Sequence, residues 1–420
     1  MPAISLRLLH TADWHLGQSF HGFDRQLEHE AFLTWLLDTL VQENVDALLV
    51  AGDVFDTANP SAASQQQFYR FLTAARARVP HLNVVVIAGN HDSPGRLEAP
   101  SPFLALLDAV VVGQVQRSAT GEVDYSRLVV PLKNHQGEVA AWCLAIPFLR
   151  PGDLPTVPDP AAENAYAGGV ARLYAGALAA ALARRRPGQA LVAMGHCLLA
   201  GGQMSLESER PLVIGSAEAL PAGLFDPAIA YAALGHLHKA QTPGEGIRYS
   251  GSPLPLSFSE IGYPHQVLRV DLEGASLLGA TALPVPRPVQ LLRVPTRHAP
   301  LSEVLARLEN EPWPAAPAGM EAYLEVRVLL SAPEPNLRAQ IEAVLAGKPV
   351  RLARIDTRTA RSEGTAPPTH LGTDELQQLA PAEIFAQLYQ QRYGEAPPPD
   401  LGAAFAELLD AAGQMGGDAA

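Results

Sequence analysis

The chain has 420 residues, 48% hydrophobic and 17% charged, which excludes a disordered chain and is too much for one ordinary core, so two or three domains are expected. A formal net charge of -13 argues against a protein that holds nucleic acid by its own electrostatics alone, although bound divalent cations or a basic partner surface would change that balance. Two cysteines, Cys143 and Cys197, cannot build a disulfide framework and suit a reducing compartment.

The N-terminus enters an apolar run with no basic segment before it, so no signal peptide is expected. The Ala-rich stretch 175–183 is too short to span a bilayer, and a cytoplasmic location is expected. Residues 4–10 read as a buried strand and 24–42 as a helix, with Leu27, Ala31, Leu36, Leu37, Leu40 and Val41 along one face. Residues 47–51 are a second strand. Asn59-Pro60 has the cap and first-turn chemistry of a helix running to about Arg78. Strands at 84–88, 126–131, 140–146, 190–194 and 229–234 continue the series, an α/β pattern.

The Pro-rich run 283–288 marks a boundary, because each Pro removes a backbone donor. Beyond it, strands at 289–295, 323–330 and 350–355 alternate with helices at 301–308 and 336–345, as in a small α+β cap. A polar linker follows. Residues 381–393 and 401–412 then read as two amphipathic helices carrying Ile384, Phe385, Leu388 and Tyr389, then Phe405, Leu408 and Leu409. These apolar residues either pack back on the cap or dock a partner. The expected division is 1–283, a catalytic domain; 284–360, the cap; 361–374, a linker; and 375–420, the helical pair.

Five apolar runs of the first domain end in Gly or Ala or close by, and then in metal-ligand residue types. Asp13-Trp14-His15 opens the series, and Ala51-Gly52-Asp53 and Ala88-Gly89-Asn90-His91-Asp92 follow. Met194-Gly195-His196 and Leu234-Gly235-His236-Leu237-His238 complete it. Asp, Asn and His are the hard and borderline donors of Mn, Fe or Zn, and open α/β sheets place their sites at the carboxyl ends of strands. The ordered set describes a two-metal hydrolytic site, which needs a bridging oxygen ligand, terminal ligands on each ion and an activated hydroxide. Asp53 suits the bridge, because a carboxylate has two oxygens that can each bind an ion. Asp13 and His15 reach one ion together, Asn90, His196 and His236 supply further donors, and His238 swings back to the first ion.

His91 directly follows Asn90, so its ring is expected on the open side, stabilising oxyanion charge or protonating the leaving alcohol. Asp92 either hydrogen-bonds that ring and keeps it protonated near neutral pH, or caps the loop as an Asx turn. His10 reads as structural. His21, His29, His81, His135, His265, His298 and His370 match no motif and read as solvated or hydrogen-bonded, and Cys197 as a buried small residue. Arg25, Arg96, Arg150, Lys239 and Arg248 are phosphate-contact candidates or plain surface charges.

The order of these motifs is that of calcineurin-like metallophosphoesterases, and the details are narrower. The segments from Leu9 to Gly17, Val50 to Thr57, Ala88 to Ser93 and Ile146 to Pro151 resemble the SbcD family of bacterial nuclease subunits. So does Ala233 to Gln241 followed by the block from Tyr249 to Glu260, which the phosphatases of the superfamily lack. The resemblance implies a four-layer αββα sandwich with a small α+β capping domain and a C-terminal helical pair. It implies a Mn-dependent DNA nuclease of repair, recombination and replication, an exonuclease on duplex ends and an endonuclease on hairpins and single strands. Its partner would be an SbcC-like SMC-type ATPase gripped by the C-terminal helices, with a homodimer inside a heterotetramer. By the same carry-over, two divalent metal ions are held, one by Asp13, His15, Asp53 and His238, the other by Asp53, Asn90, His196 and His236. His91 would be catalytic without binding metal. Archaeal and eukaryotic relatives carry a second active-site His shortly after the bridging Asp, where this chain has Asp56, so the role of that position stays open.

A small-molecule phosphatase would use the same metals, but the 249–260 block, the cap and the terminal helices are more than it needs. A degenerate scaffold would have lost ligands, and every one is present here.

Overall fold

Two six-stranded sheets build the large part of the molecule. In the first, the strands lie in the order Ser276–Pro284, Gln266–Glu273, Ser5–Thr11, Ala47–Ala51, Asn83–Ile87, Ala109–Val112. The last four run parallel and the first two pair antiparallel at the edge. In the second, the order is Gln241–Gly244, Ile247–Tyr249, Tyr231–Gly235, Ala190–His196, Val139–Ala145, Val129–Lys133, with a parallel centre and antiparallel edges. The computed structural model describes residues 5–155, 165–205, 207, 209 and 219–359, and toward the C-terminus 385–386, 389–390, 396–398, 401–402 and 405.

Alternation along the strands explains the layers. Leu49 and Ala51 point to a core shared with Leu144, Val192 and Leu234 of the second sheet. Their neighbours Leu48 and Val50 point the other way, against Phe32, Leu36, Phe68 and Phe71. Those four come from helices Gln26–Gln42 and Ala62–Arg78. Strands buried on both faces have to be apolar throughout, as 47–51 is. The helix Ala165–Leu182 packs Val170, Leu173, Tyr174 and Ala177 into the core of the second sheet. The architecture is the four-layer αββα sandwich.

Several local expectations need correction. The first helix buries Glu28, His29, Phe32, Leu33, Leu36 and Leu40, while Leu27 is 51% exposed and Val41 39%. Leu36 and Leu40 are common to the expected stripe and the buried face, but that face also takes in Glu28, His29, Phe32 and Leu33 and leaves Leu27 and Val41 out. The second helix is capped by Ser61, whose side chain accepts from the Ser64 N–H, and not by Asn59. The Ala-rich stretch belongs to an 18-residue helix, long and apolar enough by composition to cross a membrane, with a face packed in the core. The antiparallel pair Gln266–Glu273 and Ser276–Pro284 is an addition to the expected strands, and it carries the first domain through Pro284.

The chain divides into two compact units, one within Met1–Arg293, Pro312–Glu325 and Gly347–Arg354, the other within Val294–Glu311, Val326–Ala346 and Ile355–Ala420. Strands Leu291–Pro300, Ala322–Leu330 and Val350–Thr359 form a three-stranded sheet in that order. In the second unit helices Leu301–Asn310 and Leu337–Leu345 pack together and bury Val304, Leu308, Ile341 and Leu345. Of the expected C-terminal pair, the Phe385 ring stacks on Phe405 with centroids 4.2 Å apart. Ile384, Leu388, Leu408, Leu409 and the linker 361–374 lie outside the described residues.

Candidate metal centre

Parallel pairing brings the carboxyl ends of the strands to one edge, where Thr11 is opposite Val50, Ala51 opposite Ile87 and Gly235 opposite His196. Beyond the strands the first two loops stay zipped: Asp13 N–H donates to the Gly52 carbonyl and His15 N–H to the Asp53 carbonyl, both at 3.0 Å. The two sheets also approach closely here. A Cβ at Gly235 would lie 1.9 Å from the Ala51 carbonyl oxygen across the sheets, and within the first sheet one at Gly89 would lie 2.1 Å from Asp53 Oδ1. Only glycine fits either place.

Asp13, His15, Asp53 and His236 all adopt positive φ, at 55°, 46°, 49° and 98°. Non-glycine residues rarely do so, and a cluster of them marks a place where side-chain position outweighs backbone comfort.

The seven ligand candidates converge. His15 Nε2 lies 3.6 Å and His196 Nε2 3.4 Å from Asp53 Oδ2. Asn90 Oδ1 lies 2.9 Å from His196 Nε2 and 3.2 Å from His236 Nδ1. Asp13 accepts the His236 main-chain N–H at 3.0 Å, and the His15 and His238 rings are 5.3 Å apart. Donor atoms of Asp13, His15 and His238 fall within 4.8 Å of one another, as do those of Asp13, Asp53 and His196.

The fit to metal can be judged from the donors themselves. His15 Nε2, 3.6 Å from Asp53 Oδ2, is buried and has no hydrogen-bond partner among the described residues. Buried polar atoms are as a rule satisfied, and this one, set among metal-type donors, suits an ion or a water. A set of two carboxylates, one amide oxygen and four imidazoles suits a pair of divalent transition ions.

Without an ion, the buried groups set one another's charge. Burial pushes the Asp53 carboxyl up, but His196, His15 and His91 outweigh it and hold it well below the ordinary range. Burial raises Asp13 against the pull of His196 and His238. Burial opposes charge on His196, yet Asp53 prevails and raises it to about 9. Glu260 does the same for His238, also to about 9. Burial and the neighbouring His196 push His236 down to about 3.

His91 sits at the rim, half-buried, its ring 4.8 Å from that of His15. Its main-chain N–H donates to Asp53 Oδ1 at 2.8 Å, and its Nδ1 donates to the Asp56 carbonyl at 2.8 Å. Asp92 does not reach that ring. Its carboxylate is spent on the N–H groups of Val54, Phe55 and Gly89 at 3.1, 3.0 and 2.9 Å. It clamps two ligand loops together, a wider role than an Asx turn. Burial therefore lowers the His91 pKa, and the expectation that Asp92 raises it is corrected.

Elsewhere, His10 is structural as expected, its Nδ1 2.8 Å from the Tyr231 hydroxyl. His29 is neither solvated nor hydrogen-bonded: it is fully buried, and both ring nitrogens lack partners among the described residues. His370 lies outside the described residues. Cys197 is half-buried. Arg25 is no phosphate contact, being buried against Glu28 at 2.9 Å. Arg248 is tied to the Gly244 and Ile247 carbonyls, and Lys239 to Gln203. Arg96 and Arg150 are exposed, and Arg150 lies over Phe148, which borders His196.

Three carboxylates behind the ligands carry no signal as ligands in the sequence. Asp56 Oδ1 lies 3.1 Å from His15 Nδ1. Glu260 Oε1 lies 3.0 Å from His238 Nδ1, and Glu209 accepts the His238 N–H at 2.7 Å. Burial raises the Glu209 carboxyl to about 7. Glu260 closes the 249–260 block, so its position was marked without its reason. Glu209 stands in no motif.

The sequence profile of the calcineurin-like phosphoesterases matches residues 6–240, and that of a type 5 capsule protein repressor C-terminal domain matches residues 286–393. Among curated proteins, the chain is 41% identical over 391 residues to the SbcD subunit of the SbcCD nuclease of Rhodobacter capsulatus, covering 91% of this chain and 94% of that one. It is 32% identical over 395 residues to the protein of the same name from Escherichia coli K12, covering 90% and 92%. For the Bacillus subtilis protein the figures are 36% over 279 residues, 63% and 66%. With this edge geometry and likeness along nearly its whole length, the chain belongs to the SbcD family and is a metal-dependent phosphodiesterase nuclease built on a calcineurin-like phosphoesterase domain.

Proposed function

We propose that this chain is a Mn-dependent DNA nuclease, the catalytic subunit of an ATP-regulated complex of DNA repair and recombination. In this reading it acts on duplex ends as an exonuclease and on hairpins and single strands as an endonuclease. The observation that carries it is the convergence of Asp13, His15, Asp53, Asn90, His196, His236 and His238 at one strand edge, with His91 beside them.

Asp13, His15, Asp53 and His238 would hold one ion and Asp53, Asn90, His196 and His236 the other. When bound, the two ions neutralise the phosphodiester and ease formation of the attacking hydroxide. The chain's own residues do the rest. Asp53 joins both positions, and its Oδ1 also fixes the His91 backbone. The Asp56 carbonyl accepts a hydrogen bond from the Nδ1–H of His91. That leaves His91 Nε2 for the substrate. Burial lowers the ring's pKa, so Nε2 acts as a donor only once the ring takes up a proton beside the negative phosphodiester. The imidazolium then steadies charge on a phosphate oxygen or delivers that proton to the departing sugar oxygen. Asp92 keeps the loops of Asp53 and Asn90 in register.

The partner is an SbcC-like SMC-type ATPase bound through residues 375–420, residues 284–360 form a cap over DNA, and the site of action is the cytoplasm. The relatives are named as one component of an SbcCD nuclease, which supports a second component as partner. Phe103 and Leu106, 74% and 78% exposed, are apolar surface suited to pairing of two copies within the complex. The test is cleavage of labelled duplex, hairpin and single-stranded DNA against p-nitrophenyl phosphate, with Mn, with and without the ATPase. Cleavage confined to the small phosphate ester would reject DNA as substrate.

A further inference from the structure

The two sets of imidazoles are backed differently. His15 presents Nδ1 to the Asp56 carboxylate at 3.1 Å, and His238 presents Nδ1 to the Glu260 carboxylate at 3.0 Å. Glu260 is itself immobilised, because its other oxygen accepts the Leu256 N–H at 2.8 Å. The Leu256 carbonyl in turn accepts from the Gln18 side chain at 3.1 Å, and the Gln18 N–H donates to the His15 carbonyl at 2.9 Å. One continuous brace thus fixes both histidines. On the other side, His196 presents Nδ1 only to the neutral Ala51 carbonyl at 2.9 Å. His236 faces Asn90 through Nδ1, and its Nε2 has no hydrogen-bond partner among the described residues.

A carboxylate behind an imidazole makes the ring more basic, fixes its tautomer and adds negative charge near the cation. A main-chain carbonyl gives less of each, and an unbacked ring gives none. We infer that the two metal positions are unequal: the one formed by Asp13, His15 and His238 fills first and holds its ion more tightly, and the one formed by Asn90, His196 and His236 is the exchangeable position. This rests on the two-metal reading above and adds an order of loading to it. Asp56 and Glu260 are then positioning residues for the tight position.

The experiment is a Mn²⁺ titration of the metal-free full-length protein, with free Mn²⁺ read from its solution EPR signal. Wild-type protein is expected to bind two ions per chain with affinities at least about tenfold apart. Glu260→Gln and Asp56→Asn should each weaken the tighter class by about 10–100-fold, closing the gap. Asn90→Ala should remove the weaker class alone. Asp56 is partly exposed, so Asp56→Asn decides the matter if Glu260→Gln fails to fold. Two ions of equal affinity, or a tight class unmoved by Asp56→Asn, would overturn the inference. A wild-type capacity of one ion per chain would instead reject the two-metal reading itself.

Discussion

The main-chain N–H of His91 donates to Oδ1 of Asp53 at 2.8 Å. The residue proposed to join the two metal positions therefore also sets where His91, the proposed reacting histidine, begins, and its Oδ2 is left to face His15 and His196. The bond uses the His91 backbone, so changing the His91 side chain should leave Asp53 in place.

His91→Ala is accordingly expected to retain metal content near that of the wild type while losing activity by about 10²–10³. Asp53→Ala should lose both. Metal analysis of the two purified variants beside a DNA cleavage assay separates the cases. Equal metal loss in both would make His91 a ligand.

Asp92 offers a contrast. It is buried and satisfies three buried N–H groups, so Asp92→Ala should destabilise the protein by about 3 kcal/mol or more in denaturant unfolding. A variant of unchanged stability with abolished cleavage would mean that Asp92 takes part in the chemistry directly.

The fold was legible where periodicity and burial coincide. Residues 47–51 and the two cap helices read correctly because their apolar residues face a core and their breaks are marked by Pro, Gly or Asn. The buried face of the first helix read only in part, at Leu36 and Leu40, because Glu28 and His29 also lie inside it: Glu28 is held by Arg25 and by the Tyr323 hydroxyl at 2.7 Å, a partner 295 residues away. At the site, the ligand types were visible because each ends an apolar run. Their support was not. A carboxylate such as Glu209 acquires meaning only once folding brings it to His238, and Asp92 turned to backbone amides that no side-chain pattern records.

A pH effect on stability follows from His10. Burial lowers its pKa to about 3 from 6.5, so the folded chain keeps it neutral where the unfolded chain takes up a proton. Its contribution is complete above about pH 6.5 and is lost as pH falls from there toward about 3, on the order of a few kcal/mol in all. His10→Asn keeps an acceptor for the Tyr231 hydroxyl but cannot titrate. The stability gap between wild type and this variant should narrow on acidification, as measured by unfolding at a series of pH values, and a gap independent of pH would contradict this role.

Removal of residues 375–420 should abolish co-purification with the ATPase and preserve Mn-dependent cleavage of single-stranded DNA. Undiminished partner binding would refute the docking role. A collapse in thermal stability would place these residues in the core of their own unit.

The most direct test of the central claim is a crystal structure of the Mn-soaked protein with anomalous scattering collected at the Mn edge. Two peaks about 3.5–4 Å apart, bridged by Asp53, with His196 and His236 on one and His15 and His238 on the other, are the expected result. A single peak, or two peaks with Asp53 bound to neither, would contradict the account.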